Sequence, residues 1–249
     1  SWNWKANGAG SANTDGSINS TVSANTTSGF SIVSYTGGGT QDLTVGHGLG
    51  TTPDMIIVKN RSIVEEWRVW HSSLSGSTYK LSLNSTGAED SSSTVFNGQS
   101  STTFTVGTDP SVNGNGNSII AYCFADVKGY SKFGSYVGNG SNDGPFIYTG
   151  FKPAFVITKN YADSGGASNN GGNWRIFDNQ RLGYNVNNAT LYPNLNNAEA
   201  DETSLDLLSN GFKMRGTTGD LNQNGMKYVY MAFASEPLVS TNGNAATAR

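Results

Sequence analysis

The sequence predicts an all-β fold: two tandem homologous β-sandwich domains from internal duplication, preceded by an extended N-terminal arm. Three observations predict it. Short apolar runs alternate with turn residues along the whole chain. Charge is scarce, at 13% of 249 residues, while 32 residues are glycine and Asn, Ser and Thr abound. The strand-like blocks of the first half then return in the same order in the second.

The composition also sets limits. Aromatic residues make up 11% of the chain, too many for a disordered polymer. A net charge of −3 with no clustered Lys or Arg excludes nucleic acid as the main partner. No apolar run approaches the ~20 residues of a membrane helix, so no membrane insertion is expected. The single cysteine, Cys123, lies within Ile119-Ile120-Ala121-Tyr122-Cys123-Phe124-Ala125 and reads as a small core residue. The start at Ser1 is expected to mark a processed chain or a piece of a longer one.

In chain order, residues 1–29 carry Trp2 and Trp4, then mostly Asn, Ser, Thr and Gly, with Ile18 and Val22 as apolar anchors. This reads as an extended arm or linker, with one possible strand near Ser17–Val22. The two tryptophans are expected to contact a neighbouring domain or subunit, since Trp is enriched at such surfaces, with a sugar-stacking pair as the alternative. Strands follow at Phe30–Tyr35, Met55–Lys59, Trp67–Trp70, Tyr79–Leu83, Phe104–Val106 and Ile119–Ala125. No amphipathic helix is expected, and the connection Asp109–Gly116 reads as a loop.

The second half repeats these blocks at a distance of roughly a hundred residues. Ser34–Thr40 matches Ser135–Ser141, Gly50–Asn60 matches Gly150–Asn160, and Trp67–Trp70 matches Trp174–Phe177. Leu81–Asp90 aligns with Leu191–Ala200, Phe104 with Phe212, and Ile120–Ala125 with Val229–Ala234. The expected domains are 30–128 and 129–239, with a flexible C-terminal tail at 240–249. The repeated Gly-x-x-Pro reads as the entry into an apolar core strand, used twice, and fits a sheet-edge entry where proline removes an unneeded donor.

Features found in only one repeat are the better candidates for a site. The second repeat carries an added loop, Tyr161–Gly172, and the polar-aromatic stretch Asp178–Asn185. Tyr161, Asn169, Asn170, Asp178, Arg181 and Tyr184 together supply the planar polar groups and rings that recognise a glycan or a protein partner. The repeated tryptophans, by contrast, read as core.

Catalytic and metal signatures are not expected. His47 and His71 have no ligand partner at metal spacing, and no Gly-x-Ser-x-Gly elbow occurs. Glu65-Glu66 and Glu89-Asp90 are adjacent, so on a strand they point to opposite faces. Asp220–Gly225 begins like a calcium loop, but Met231 stands where the bidentate Glu belongs. Both repeats keep Asn-x-Asn-Gly, at Asn113–Gly116 and Asn222–Gly225, which reads as a hairpin turn. A phosphate cradle at His47-Gly48-Leu49-Gly50 is disfavoured, since the second repeat keeps only the glycine and the proline. No catalytic residue, metal or cofactor is expected.

Four segments carry a resemblance: Phe30–Gly37, His47–Pro53, Ala121–Ala125 and Asn210–Lys213. In their order they resemble a family of bacteriophage tail-fibre and virion-surface proteins common in phages of marine cyanobacteria and other ocean bacteria. The resemblance spans about Trp2 to Leu238. It implies a non-enzymatic, often trimeric virion component that contacts other virion proteins and the host surface, extracellular in location. The leading expectation is a tail-fibre segment that contributes to host attachment. A capsid decoration protein and a carbohydrate-binding module are the alternatives.

Overall fold

The computed structural model describes residues 2–162, 172–181, 185 and 187–234, with the side chains of Asn187 and Asn188 set aside. The described residues are almost wholly β, and the chain separates into two compact units. Unit 1 comprises Ser1–Leu83 and Glu89–Asp126; unit 2 comprises Asn84–Ala88 and the chain from Val127 onward.

Unit 1 contains β1 (Ser11–Asn13), β2 (Ser20–Asn25), β3 (Phe30–Thr36), β4 (Leu43–Gly46), β5 (Met55–Asn60) and β6 (Arg68–His71). It continues with β7 (Tyr79–Ser82), β8 (Asp90–Ser91), β9 (Phe96–Gln99), β10 (Thr103–Val106), the one-turn helix α1 (Pro110–Asn113) and β11 (Ser118–Phe124). The larger sheet has the order β1-β2-β3-β11-β5-β6-β7-β8, and the smaller has β4-β10-β9. Alternation decides which side chains go inward. On β10, Phe104 and Val106 are fully buried while Thr103 and Thr105 are only partly covered. Residues from both sheets, among them Val33, Ile56, Ala121, Phe96 and Phe104, form one apolar cluster. Fully burying a side chain of this size contributes about 1.5–3 kcal/mol.

Unit 2 contains β12 (Ser131–Val137), β13 (Phe146–Tyr148), β14 (Pro153–Asn160), β15 (Trp174–Asp178), β16 (Asn187–Thr190), β17 (Ala200–Leu208), β18 (Gly211–Met214) and β19 (Lys227–Ala234). Its sheets run β12-β19-β14-β15 and β13-β18-β17-β16. Tyr136, Val156, Phe177 and Tyr230 of the first meet Ile147, Leu205 and Phe212 of the second in one core. β14 is buried along its whole length. On its other face Phe155, Phe133 and Tyr130 surround Phe233, with centroid distances of 5.6–6.4 Å.

The two units share a strand order: β3-β11-β5-β6 in one and β12-β19-β14-β15 in the other. They share pins as well. The Tyr35 hydroxyl donates to the Val112 carbonyl at 2.7 Å, and the Tyr136 hydroxyl donates to the Leu221 carbonyl at 2.8 Å. Asn60 Nδ2 donates to the Pro110 carbonyl at 2.7 Å, and Asn160 Nδ2 to the Gly219 carbonyl at 2.8 Å.

Four expectations need correction. Residues 1–29 are not a free arm: β2 pairs along β3 with Val22 opposite Val33, and Ile18 and Val22 sit in the core. The strand expected near Ser17–Val22 is present, displaced to Ser20–Asn25, since small polar residues dilute the alternation that would fix its ends. The Pro-led strands are core strands, as expected, but they are not entered at sheet edges, because β5 lies between β11 and β6, and β14 between β19 and β15. Proline is tolerated there because Pro53 precedes the strand and Pro153 opens it. Asn-x-Asn-Gly is not a hairpin turn, since β10 and β11 lie in different sheets, as do β18 and β19. The Asn side chains instead staple the crossing to a distant glycine loop. Finally, Asp109 accepts from the Ser111 N–H at 2.8 Å and caps α1, with Pro110 in its first turn.

Candidate functional site

The residues singled out around β15 prove to be a brace. Asp178 ends β15 and is 4% exposed. Its Oδ1 accepts from the backbone N–H groups of Gln180 at 2.9 Å and Arg181 at 3.1 Å, and its Oδ2 accepts from Arg181 Nε at 2.8 Å. Arg181 also donates to Glu199 at 2.5 Å and to the Ile176 carbonyl at 3.3 Å. Burial pushes the Asp178 carboxyl up, but the donors of Arg181 and Gln180 outweigh it and hold the group below its usual range. The pair is therefore charged and occupied, and it fixes the turn that leaves β15.

Tyr161 is 6% exposed, so its ring is not a solvent-facing platform. Its backbone N–H donates to the Lys227 carbonyl at 3.0 Å. Asn169, Asn170 and Tyr184 lie outside the described residues. The structure thus brings Asp178 and Arg181 together and leaves Tyr161 in the core. Trp4 is half-buried and packs edge-on against Phe124 of its own unit at 6.0 Å, and Trp2 is also half-buried.

A second polar network escaped the sequence reading. Arg175 on β15 lies 2.9 Å from Asp220 and 2.5 Å from Glu202 on β17. Its guanidinium stands over the Tyr192 ring at 5.1 Å. Thr218 Oγ1 donates to Asp220 Oδ1 at 2.9 Å. In unit 1, Arg68 reaches Glu66 at 2.7 Å and Asp109 at 3.8 Å, and donates to Ser111 Oγ at 3.1 Å. The only signal was the repeated Trp-Arg dipeptide, which reads equally well as a strand on a core.

Lys159 is a further buried cation, fully enclosed and bonded to the carbonyls of Gly87 at 2.9 Å, Thr86 at 3.3 Å and Asn160. His47 is fully buried: its Nδ1 accepts from the Leu49 N–H at 3.2 Å, which leaves Nε2 to donate to the Ser100 carbonyl at 3.2 Å. Burial holds the imidazole pKa below its ordinary value, although Ser100 and Asp15 act against it. These groups tie loops to strands.

What faces solvent is different in kind. The exposed large apolar side chains among the described residues include only two aromatic ones, Phe146 (46%) and Tyr148 (65%), both on β13. Unit 1 has a shallow polar cleft of about 160 Å³, lined by Asn7, Ser11, Asn13, Ser23, Val22 and Gly48 among others. Among the described residues, no group of three or more His, Cys, Asp or Glu is placed to hold a metal ion.

No curated protein and no solved structure matches the chain. A family model described as a domain of unknown function (DUF7483) matches residues 1–237, and the chain belongs to that family.

Proposed function

We propose that this chain is a non-enzymatic structural and adhesion component of a phage particle, a tail-fibre segment built from two duplicated β-sandwich units. The observation that carries the reading is that the two ionisable clusters around β15 are paired within their own unit. Arg175 with Asp220 and Glu202, and Arg181 with Asp178 and Glu199, connect strands and turns of one unit. Such closed pairs suit a stiff module that works through its outer surface.

The duplication is supported by the common strand order and by the paired tyrosine pins, Tyr35 to Val112 and Tyr136 to Leu221. One ancestral unit of two sheets, copied once, accounts for both. In the assembled fibre the chain is a homo-oligomer, a trimer, with Trp2 and the exposed part of Trp4 contributing contacts between copies. Its location is the virion surface, and its partners are other virion proteins and the host surface.

Quantitative mass spectrometry and gold labelling of intact particles test the reading. A few copies per particle, located at the tail, are expected, together with adsorption of the purified chain to host cells. Labelling spread over the capsid at lattice stoichiometry would favour a decoration protein, and absence from the particle would overturn the virion assignment.

A further inference from the structure

The outer face of the β13-β18-β17 sheet of unit 2 holds an arrangement that unit 1 lacks. Phe146 and Tyr148 are two residues apart on β13, so they leave the same face about 7 Å apart along the strand. Each ring rests over a glycine. A Cβ at Gly211 would lie 3.0 Å from Phe146 Cε2, and one at Gly150 would lie 3.5 Å from the Tyr148 hydroxyl. The rings are therefore backed by main chain and open outward.

The polar groups beside them are paired by charge. Lys213, opposite Phe146 in the ladder, meets Asp143 at 2.5 Å. Arg215 stands 3.6 Å from Asp206, which is opposite Lys213 on the next strand. At that separation the Arg215 Nε–H keeps donor capacity for a ligand. These two cations and two carboxylates balance one another beside the rings.

The corresponding surface of unit 1 is closed. There β4 holds the place of β13, pairing to β10 as β13 pairs to β18. Opposite Phe104 lies Val45, as Ile147 lies opposite Phe212, so Thr44 and Gly46 stand where unit 2 has Phe146 and Tyr148. The N-terminal segment covers them. Ile18 bridges Val45, the Ile18 N–H donates to the Thr44 carbonyl at 2.9 Å, and Ser20 Oγ donates to the Gly46 carbonyl at 2.9 Å. Asn13 occupies the space that a Gly46 side chain would need. Where unit 1 needs a glycine to seat its own chain, unit 2 presents a tyrosine to solvent.

We infer that the Phe146–Tyr148 face of unit 2 is a binding platform for a neutral glycan. Sugar rings stack on the two aromatic faces, and their hydroxyls bond to Lys213, Arg215 and Asp143. Stacking suits the apolar C–H face of a hexose, and the balanced charges suit a polyol without net charge. The inference rests on the adhesion reading for its source of glycan, and its test separates the two.

The test is binding of the full chain to immobilised neutral oligosaccharides of glucose, mannose and galactose, alongside adsorption to host cells. Binding to at least one oligosaccharide is expected, about tenfold weaker in Tyr148→Ala and abolished in Phe146→Ala/Tyr148→Ala. Both side chains are exposed, and an unchanged thermal midpoint confirms that the variants fold. Lys213→Ala should weaken binding without removing it. Glycan binding unchanged in the double variant would overturn the platform, as would a flat array with cell adsorption intact, which leaves the adhesion reading standing. A change in oligomeric state caused by Tyr148→Ala, without any glycan binding, would assign the face to a second copy instead. Failure of the wild-type chain to adsorb to cells while it binds a glycan would count against adhesion alone.

Discussion

Arg175 and Asp220 form a 2.9 Å ion pair whose side chains are 3% and 1% exposed. The counterpart in unit 1 is Arg68 with Asp109 at 3.8 Å. The acids do not occupy matching positions. In unit 1, Asp109 stands four residues before the stapling Asn113 and Ser111 two before it; in unit 2, Thr218 and Asp220 exchange those roles around Asn222. The ion pair is kept although the carboxylate has moved along the turn, which indicates that the strand-to-crossing tie matters more than the residue that makes it.

Removing one partner of this pair should be costly. Burial alone would lower the Arg175 pKa, and Asp220, Glu202 and Tyr192 together outweigh that and raise it. Asp220→Ala leaves the enclosed cation with only the half-exposed Glu202 as its partner and is expected to destabilise the protein by about 3 kcal/mol in urea unfolding. Arg175→Leu with Asp220→Leu should lose less than Asp220→Ala alone, because no buried charge is then stranded and Glu202 can turn to solvent. Lys80→Ala, which breaks a pair with the exposed Asp90, should cost less than about 1 kcal/mol.

Cys123 faces the unit 1 core on β11 with no exposure, and burial pushes its thiol pKa far up. The thiolate is the reactive form, so the native thiol should be inert. Ellman's reagent is expected to give no reaction in buffer at pH 8 and one thiol per chain in denaturant. Rapid labelling of the folded chain would contradict the burial.

Much of the framework was legible in the sequence because apolar side chains reveal it. Met55–Lys59, Phe104–Val106 and Ile119–Ala125 declare their strands by composition and alternation, and the structure places them in β5, β10 and β11. Short strands such as Leu43–Gly46 and Phe96–Gln99 were not legible, since each contributes only a few inward residues beside Gly or Thr. The site reading succeeded less well. Asp178 and Arg181 have the composition of a recognition pair, but whether such groups face a ligand or each other depends on side-chain direction, which one sequence does not carry. Phe146 and Tyr148 went unnoticed for the opposite reason: an aromatic residue alternating on a strand reads as core until the packed side of the sheet is known.

His47 should make stability depend on pH. Its folded pKa lies below the ordinary 6.5, because burial disfavours the imidazolium. As pH falls below 6.5 the unfolded chain takes up a proton that the folded chain refuses, so the unfolded state gains. Stability is complete above that value and declines towards the lower folded pKa, with a slope of at most about 1.4 kcal/mol per pH unit. Urea unfolding between pH 7.5 and 5.5 should show this decline, and His47→Gln should remove its part of it. An equal slope in the variant would mean that other groups set the acid limb.

The N-terminal segment provides the sharpest contrast between expectation and structure. A linker arm can be removed without cost, whereas a strand cannot. Deleting residues 1–26 would strip β1 and β2 from the larger sheet of unit 1, expose the edge of β3 and uncover β4. An open seven-residue edge with Phe30, Ile32 and Val33 is a template for pairing with other chains. The deletion is therefore expected to yield aggregated protein or a markedly lower thermal midpoint. Val22→Ala is the finer test: Val22 is 6% exposed and opposite Val33, so losing its methyl groups should cost about 1.5 kcal/mol in urea unfolding. A neutral result for both variants would return this segment to the role of a tether.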